Sequence, residues 1–430
     1  MEKGTKIHRS GVKGINIMAW KIIKKCFKIV GIFIGVIFLL LVGYVIFNMP
    51  FGSKHKDLSE SELQVYLDYL NSSTSEPLEF VSEKFKQYDV VLIGETHYTL
   101  QNSIFLQKLI PYLYQHNGVR IIGWEFGSSS AQAEVDSLLT APSFDRSKFI
   151  DIMRRAIYFW NLEEYLDVFH VVWEFNRQLP SGAEPIRFLQ LGSEYVPRRL
   201  NSSDPEVRKK EAERFYWEKK FAEIIEREAI QKNEKALAWA GLHHTFTKYR
   251  QPRMFFQRRT GEKRRAGNFL YDKYPEKVYS IKLHFPAPHR WFVLTEILPF
   301  IAPDANKMYY PFKCIIDQVY ARYQKPLAFD TRQSPFGKIK DNYSYYSFDY
   351  FGGVTLKDFC DGYIMLCSFD EIKPVHPIED WITSEKELNE IKNILPPEEA
   401  KHIKDIPSFL KQLEQRITGY MQMYHNVSSR

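Results

Sequence analysis

The chain of 430 residues carries only four cysteines and no recurring unit of solenoid length. So few thiols do not make a disulfide scaffold, and the spacing of Cys314, Cys360 and Cys367 matches no zinc site. Cys360 and Cys367 can still bridge in an oxidising compartment. No G-x-S-x-G nucleophile elbow occurs, which argues against a serine hydrolase of the common α/β type. A Walker loop and G-x-G-x-x-G are also missing, so no phosphate-cradling motif is present. Charge of one sign is lacking too, outside one segment. Removing residues 1–28 takes eight basic residues and one acid from totals of 59 and 52, leaving 51 of each. The net charge of +7 therefore resides in the first 28 residues and points to no nucleic acid partner.

The adjoining apolar run explains that basic segment. Ile29 to Phe47 reads IVGIFIGVIFLLLVGYVIF, nineteen residues without charge or proline. At about 1.5 Å per residue this crosses a hydrocarbon core of about 30 Å. A buried soluble helix would keep a polar face. The lysines and arginine before the run place the N-terminus in the cytoplasm. The exit, Phe47-Asn48-Met49-Pro50-Phe51, has no A-x-A-like cleavage site, and Cys26 precedes the apolar run, where no lipoprotein cysteine belongs. The expectation is an uncleaved anchor over residues 29–49, a cytoplasmic tail over 1–28, and the main domain outside the cytoplasm, in a bacterial periplasm or at the cell surface.

Residues 50–75 are polar and Ser-rich with a short helical stretch, which suits a stalk. Beyond them, apolar runs predict strands at Val90–Ile93, Arg120–Phe126, Ile186–Leu191, Ala236–Ala240, Val278–Phe285 and Tyr363–Cys367. Helical patterns lie between several of these, including Ser103–His116 and a charge-rich, solvated helix over Glu206–Asn233. Strands alternating with helices predict an α/β domain, residues 76–375, with a largely parallel central sheet flanked by helices. The stretch FDTRQSPFGKIKDNYSYYSFDYFGG (residues 329–353) reads as long surface loops, a lid or a substrate wall. A helical segment over residues 376–430 reads as a packing or capping element.

In open α/β sheets, ligands bind at the carboxyl ends of strands. Here those ends read Gly94-Glu95-Thr96-His97, Gly123-Trp124-Glu125-Phe126, Gly192-Ser193-Glu194 and Gly241-Leu242-His243-His244, with His284 on the fifth strand. Glu95 and His97 are two apart, so an extended backbone points both the same way. A carboxylate beside a histidine fixes its tautomer and makes it a base for water. Alternatively, the acids and histidines of this rim, Glu95, His97, Glu125 and His244, hold a divalent transition metal that activates water. Glu125, between Trp124 and Phe126, is costly to bury without a partner. His243 and His244 are chain neighbours that point apart, so one of them is structural. The amides of the helix that starts after His97 can stabilise an anion. Each element also has an ordinary reading: a Glu-x-His caps helices about as often as it reacts, and His284 is more often a core histidine than a ligand.

The segments VVLIGETH, IIGWEF and AWAGLHH, in that order, resemble the erythromycin-esterase-like, ChaN and Tiki superfamily over roughly Tyr88 to Thr245. The resemblance matches Glu95, His97 and Glu125 to its first two motifs and His244 to its late G-x-x-H, with His243 the competitor. Its esterase branch implies the first histidine as general base, its Tiki branch a membrane-tethered metalloprotease, and its ChaN branch haem binding. The function expected is therefore an extracytoplasmic hydrolase acting on a small-molecule or peptide ligand. The rivals are a haem or other ligand receptor using the same pocket without catalysis, and a degenerate domain kept as a membrane-bound interaction module.

Overall fold

The computed structural model describes residues 11–47, 55–192, 196–215, 217–255, 258–288, 308–347 and 353–427. The chain divides into two units, Met1–Phe51 and Gly52–Arg430. The first contains helix α1 (Gly11–Phe47), in which Lys24–Gly43 is long and apolar enough to cross a membrane. Phe33, Phe38 and Leu39 of that stretch are exposed. Its length and composition suit a membrane span and also a signal sequence.

The second unit is built on seven strands, numbered along the chain: β1 (Val90–Glu95), β2 (Ile121–Ser128), β3 (Arg187–Gly192), β4 (Ala236–Gly241), β5 (Val278–Leu283), β6 (Leu327–Asp330) and β7 (Gly362–Met365). Their order across the sheet is β6-β7-β5-β1-β4-β2-β3. All pairings are parallel except that of β6 with β7 at one edge. This is the largely parallel sheet expected, and the six strands read from apolar runs are all in it. β6 was not foreseen, because four residues, Leu-Ala-Phe-Asp, give too short a run to read.

Both faces of the sheet are covered, which is why its central strands carry no polar alternation. On β1, Val91 and Ile93 enter one apolar cluster with Trp124, Trp239, Leu109 and Leu113, while Val90 and Leu92 enter another with Leu189, Phe221, Ile225 and Leu270. Helix α3 (Leu100–Asn117) covers the first face and holds Pro111 inside an unbroken helix. The last helix, α6 (Ile406–His425), adds Phe409, Leu413, Ile417, Met421 and Tyr424 to the same cluster, a stripe of helical period.

Three expectations change. The stretch read as a stalk has the short helix expected, α2 (Glu60–Ser72), with a Ser59 capping box, but its Leu70 is buried in a third apolar cluster. The Tyr- and Phe-rich text read as surface loops puts Phe336, Ile339 and Tyr346 into that same cluster, and Phe329 stacks on Phe336 at 3.8 Å. Hydrophobic burial, not exposure, accounts for that composition; residues 348–352 and 289–307 lie outside the described part. Finally, Cys360 and Cys367 are free thiols, Cys360 being buried, so no bridge joins them.

Because Leu70 is about as buried as a core leucine, Leu70→Ala should lower unfolding free energy by about 2–5 kcal/mol in denaturant titration of the full-length protein in micelles. A spacer helix would show no loss.

Candidate functional site

The site grows from the carboxyl ends of β1, β2 and β4, adjacent at the centre of the sheet. β1 ends in Glu95, whose side chain is 3% exposed and accepts a hydrogen bond from His97 Nδ1. That bond assigns the proton to Nδ1 and leaves Nε2 as the free lone pair. His97 is the most open member of the site, with 27% of its side chain exposed. Its ring lies between Trp160 and Phe126, at centroid distances of 4.6 and 5.6 Å. The next residue, Tyr98, takes a left-handed backbone (φ 66°), a costly conformation for a bulky side chain that neighbours must enforce. Trp160 and Tyr420 stack on its ring, Arg416 Nε donates to its hydroxyl at 2.9 Å, and Tyr424 Oη donates to the His97 carbonyl at 2.9 Å. Helix α6 thus clamps the loop that presents His97.

β2 supplies Glu125 from a bulge. Its register against β3 shifts between Trp124 and Ser128, the kind of irregularity that re-aims a side chain. Gly192 is required there, since a Cβ would collide with the carbonyl oxygens of Glu125 and Gly127. The Gly241 amide, at the end of β4, donates to Glu125 Oε2 at 2.5 Å, and His244 Nε2 lies 3.1 Å from Glu125 Oε1. Gly241 is the second required glycine. A Cβ at that position would stand 3.0 Å from His97 Nε2 and 3.4 Å from Glu125 Oε2, so both groups face the same small space.

Sequence reasoning missed a fifth residue. Glu206–Asn233 is not one solvated helix: helix α4 (Pro205–Phe215) is followed by helix α5 (Glu218–Glu228), whose first residue, Glu218, is buried. His244 Nδ1 lies 3.1 Å from Glu218 Oε1, which also accepts from Arg265 at 2.7 Å, while Oε2 takes the Ala266 amide at 2.8 Å. The signal was there: Glu218 sits three and seven residues before Phe221 and Ile225, on the apolar stripe of its helix.

These contacts set the charges. Burial disfavours a charged His244, yet Glu125 and Glu218 on either side outweigh it and raise its pKa from 6.5 to about 10. Burial pulls Glu218 the other way, but His244 and Arg265 lower it to about 2. Glu125 is also lowered, burial being outweighed by His244 and His97. At neutral pH His244 is a fixed cation between two carboxylates. His97 is raised above 6.5, because Glu95 and then Glu125 overcome its burial.

His243 turns away: its Nε2 meets Tyr346 Oη at 3.0 Å, and burial together with the nearby Arg265 holds it neutral, well below 6.5. His284 pairs with Asp317 at 2.9 Å and Tyr363 at 3.0 Å and stacks on Phe369, a closed set of its own. Ser193 and Glu194 lie outside the described residues. The first amide of helix α3, Leu100, donates to the Lys373 carbonyl at 3.0 Å, so it is not offered to an anion. Among the described residues no three His, Cys, Asp or Glu side chains group closely enough to hold a metal ion.

No family model matches this sequence, and no curated protein matches it. Solved structures of similar fold include a succinoglycan biosynthesis protein (11% identity, TM-score 0.48, 75% of this chain and all of that one). A variant of erythromycin esterase EreC in its open conformation is similar at 11% identity and TM-score 0.45, over 70% of this chain and 95% of that one. ChaN of Campylobacter jejuni, with cofacial haem, gives 14% identity and TM-score 0.32 over 48% of this chain and 86% of that one.

The geometry has two measurable consequences. His244 contributes stability that is complete below pH 6.5 and lost as pH rises through about 10; Glu218 contributes stability complete above pH 4.5 and lost as pH falls through about 2. Their joint contribution should peak between about pH 4.5 and 6.5, and His244→Ala should flatten the pH dependence of melting on both sides. Gly241→Ala should push the His97 ring off Glu95, seen in an NMR titration as a His97 pKa falling back toward 6.5; an unshifted titration would contradict the contact.

Proposed function

We propose that this chain is a membrane-anchored hydrolase whose domain lies outside the cytoplasm, with His97 as the base that activates water for attack on an ester- or amide-type carbonyl. The observation that carries this is the Glu95–His97 pair: one ring nitrogen is bound to a buried carboxylate, and the other, with no hydrogen-bond partner among the described residues, faces the space shared with Glu125. Glu95 is acceptor-only when ionised, so it orients the ring and stabilises the imidazolium formed as the water proton arrives. The fixed cation of His244 balances the Glu125 carboxylate, so the site carries no uncompensated acid that would repel a developing oxyanion.

The anchor supports the rest of the reading. Lys24–Gly43 has the length and composition of a span, and residues 1–28, which run into its first residues, hold all of the chain's net positive charge, the arrangement that retains an N-terminus in the cytoplasm. The ligand is then a small molecule or peptide met outside the cytoplasm.

The test is a panel of p-nitrophenyl esters and chromogenic peptides assayed with the full-length protein and with His97→Ala. Loss of about 10²–10⁴-fold in kcat/KM for His97→Ala is expected. The wild-type rate should rise with pH through a value above 6.5, since only the neutral ring accepts a proton. A tight Soret change on haem titration, with no hydrolysis that depends on His97, would overturn this in favour of a receptor.

A further inference from the structure

A buried polar atom without a partner costs about 1–3 kcal/mol and needs a reason. Several such atoms gather at this site: Trp160 Nε1, Tyr165 Oη and Trp217 Nε1 are buried and make no hydrogen bond among the described residues. Trp160 packs 4.6 Å from the His97 ring and Trp217 5.3 Å from the His244 ring. Tyr165 stands 4.4 Å from Phe126, which itself contacts His97. Glu95 and Glu125 lie near enough to act on the Tyr165 phenol, yet neither bonds to it. Burial, helped by those two carboxylates, keeps the phenol protonated, so it remains a donor. An indole N–H packed against the base and a phenol O–H on the ring next to that indole, 6.0 Å from it between centroids, both unspent and both shielded from water, are what a negatively charged oxygen requires.

We propose that Tyr165 and Trp160 are the donors that receive the substrate's carbonyl oxygen. This rests on the hydrolytic reading above. As water adds, its proton passes to His97 Nε2, its oxygen bonds to the carbonyl carbon, and the π pair moves to the carbonyl oxygen, which takes hydrogen bonds from Tyr165 Oη and Trp160 Nε1. When the pair returns, the bond to the leaving group breaks and His97 gives that group the proton. Of the helix amides that the sequence suggested for this role, the first, Leu100, is bonded to Lys373.

The test is Tyr165→Phe in the full-length protein, which keeps the ring and removes only the hydroxyl. Its ligand-free melting temperature should equal or exceed that of the wild type, since an unpartnered donor is lost. Its kcat on p-nitrophenyl butyrate should fall about a hundredfold with KM little changed. Phenylphosphonate, a tetrahedral oxyanion probe, should raise the melting temperature of the wild type and not of the variant. A melting temperature lowered by several degrees with kcat intact would show a structural hydroxyl and overturn the assignment. Full kcat in the variant on an ester that the wild type hydrolyses through His97 would overturn it while leaving the hydrolytic reading in place. Protection of the wild type alone by phenylphosphonate, with no hydrolysis of any ester, would keep the donors and overturn the hydrolytic reading. Neither hydrolysis nor protection would overturn both.

Discussion

The structure at this site depends on one constraint: carboxylates taken out of water, at two strand ends and at the start of helix α5, must be answered by cations and amides fixed in place. Glu95, Glu125 and Glu218 are all buried. The single cation of His244 answers two of them, Arg265 and the Gly241 and Ala266 amides complete their shells, and His97 answers the third. Removing one partner would strand a buried charge, a far larger penalty than losing a surface ion pair. The local backbone meets this need. The bulge in β2 delivers Glu125, Gly241 leaves the gap into which His97 and Glu125 face, and the left-handed Tyr98 turns the chain under the clamp of helix α6.

The same constraint gives the two histidines different characters although both lie beside acids. His244 is held between Glu125 and Glu218, both of its nitrogens committed to charge, and so stays an imidazolium. His97 has one carboxylate, one uncommitted nitrogen and the larger exposure, which are the properties of a group that can exchange a proton. Two similar side chains thus separate into a structural cation and a titrating base through the number of acids each one meets.

The sheet and most of this site could be read from the sequence because both leave local marks. Apolar runs as short as VVLI and ALAWA, without polar alternation, suit strands of a sheet covered on both faces, and a carboxylate in IIGWEF is conspicuous in apolar text. Glu218 was hidden by its surroundings: in a stretch crowded with Glu, Lys and Arg, one acid stands out only when its position on the helix stripe is checked. The choice between His243 and His244 was not legible, because it is made by the short turn after β4 that sends one ring to Glu125 and the other to Tyr346. Helix α2 and the Tyr-rich segment were misplaced for one reason: residues that look solvent-facing pack against a cluster formed by distant parts of the chain.

A base at His97 and a fixed cation at His244 require that the first ring titrates and the second does not. Imidazole nitrogen shifts of the two rings, followed by NMR in the full-length protein from pH 5 to 9, test this directly. His97 should lose its proton above pH 6.5, while His244 remains charged throughout this range, its own value being about 10. Loss of the proton from His244 near pH 6.5 would contradict the fixed cation, and a His97 ring that loses its proton at or below 6.5 would contradict the assignment of the base.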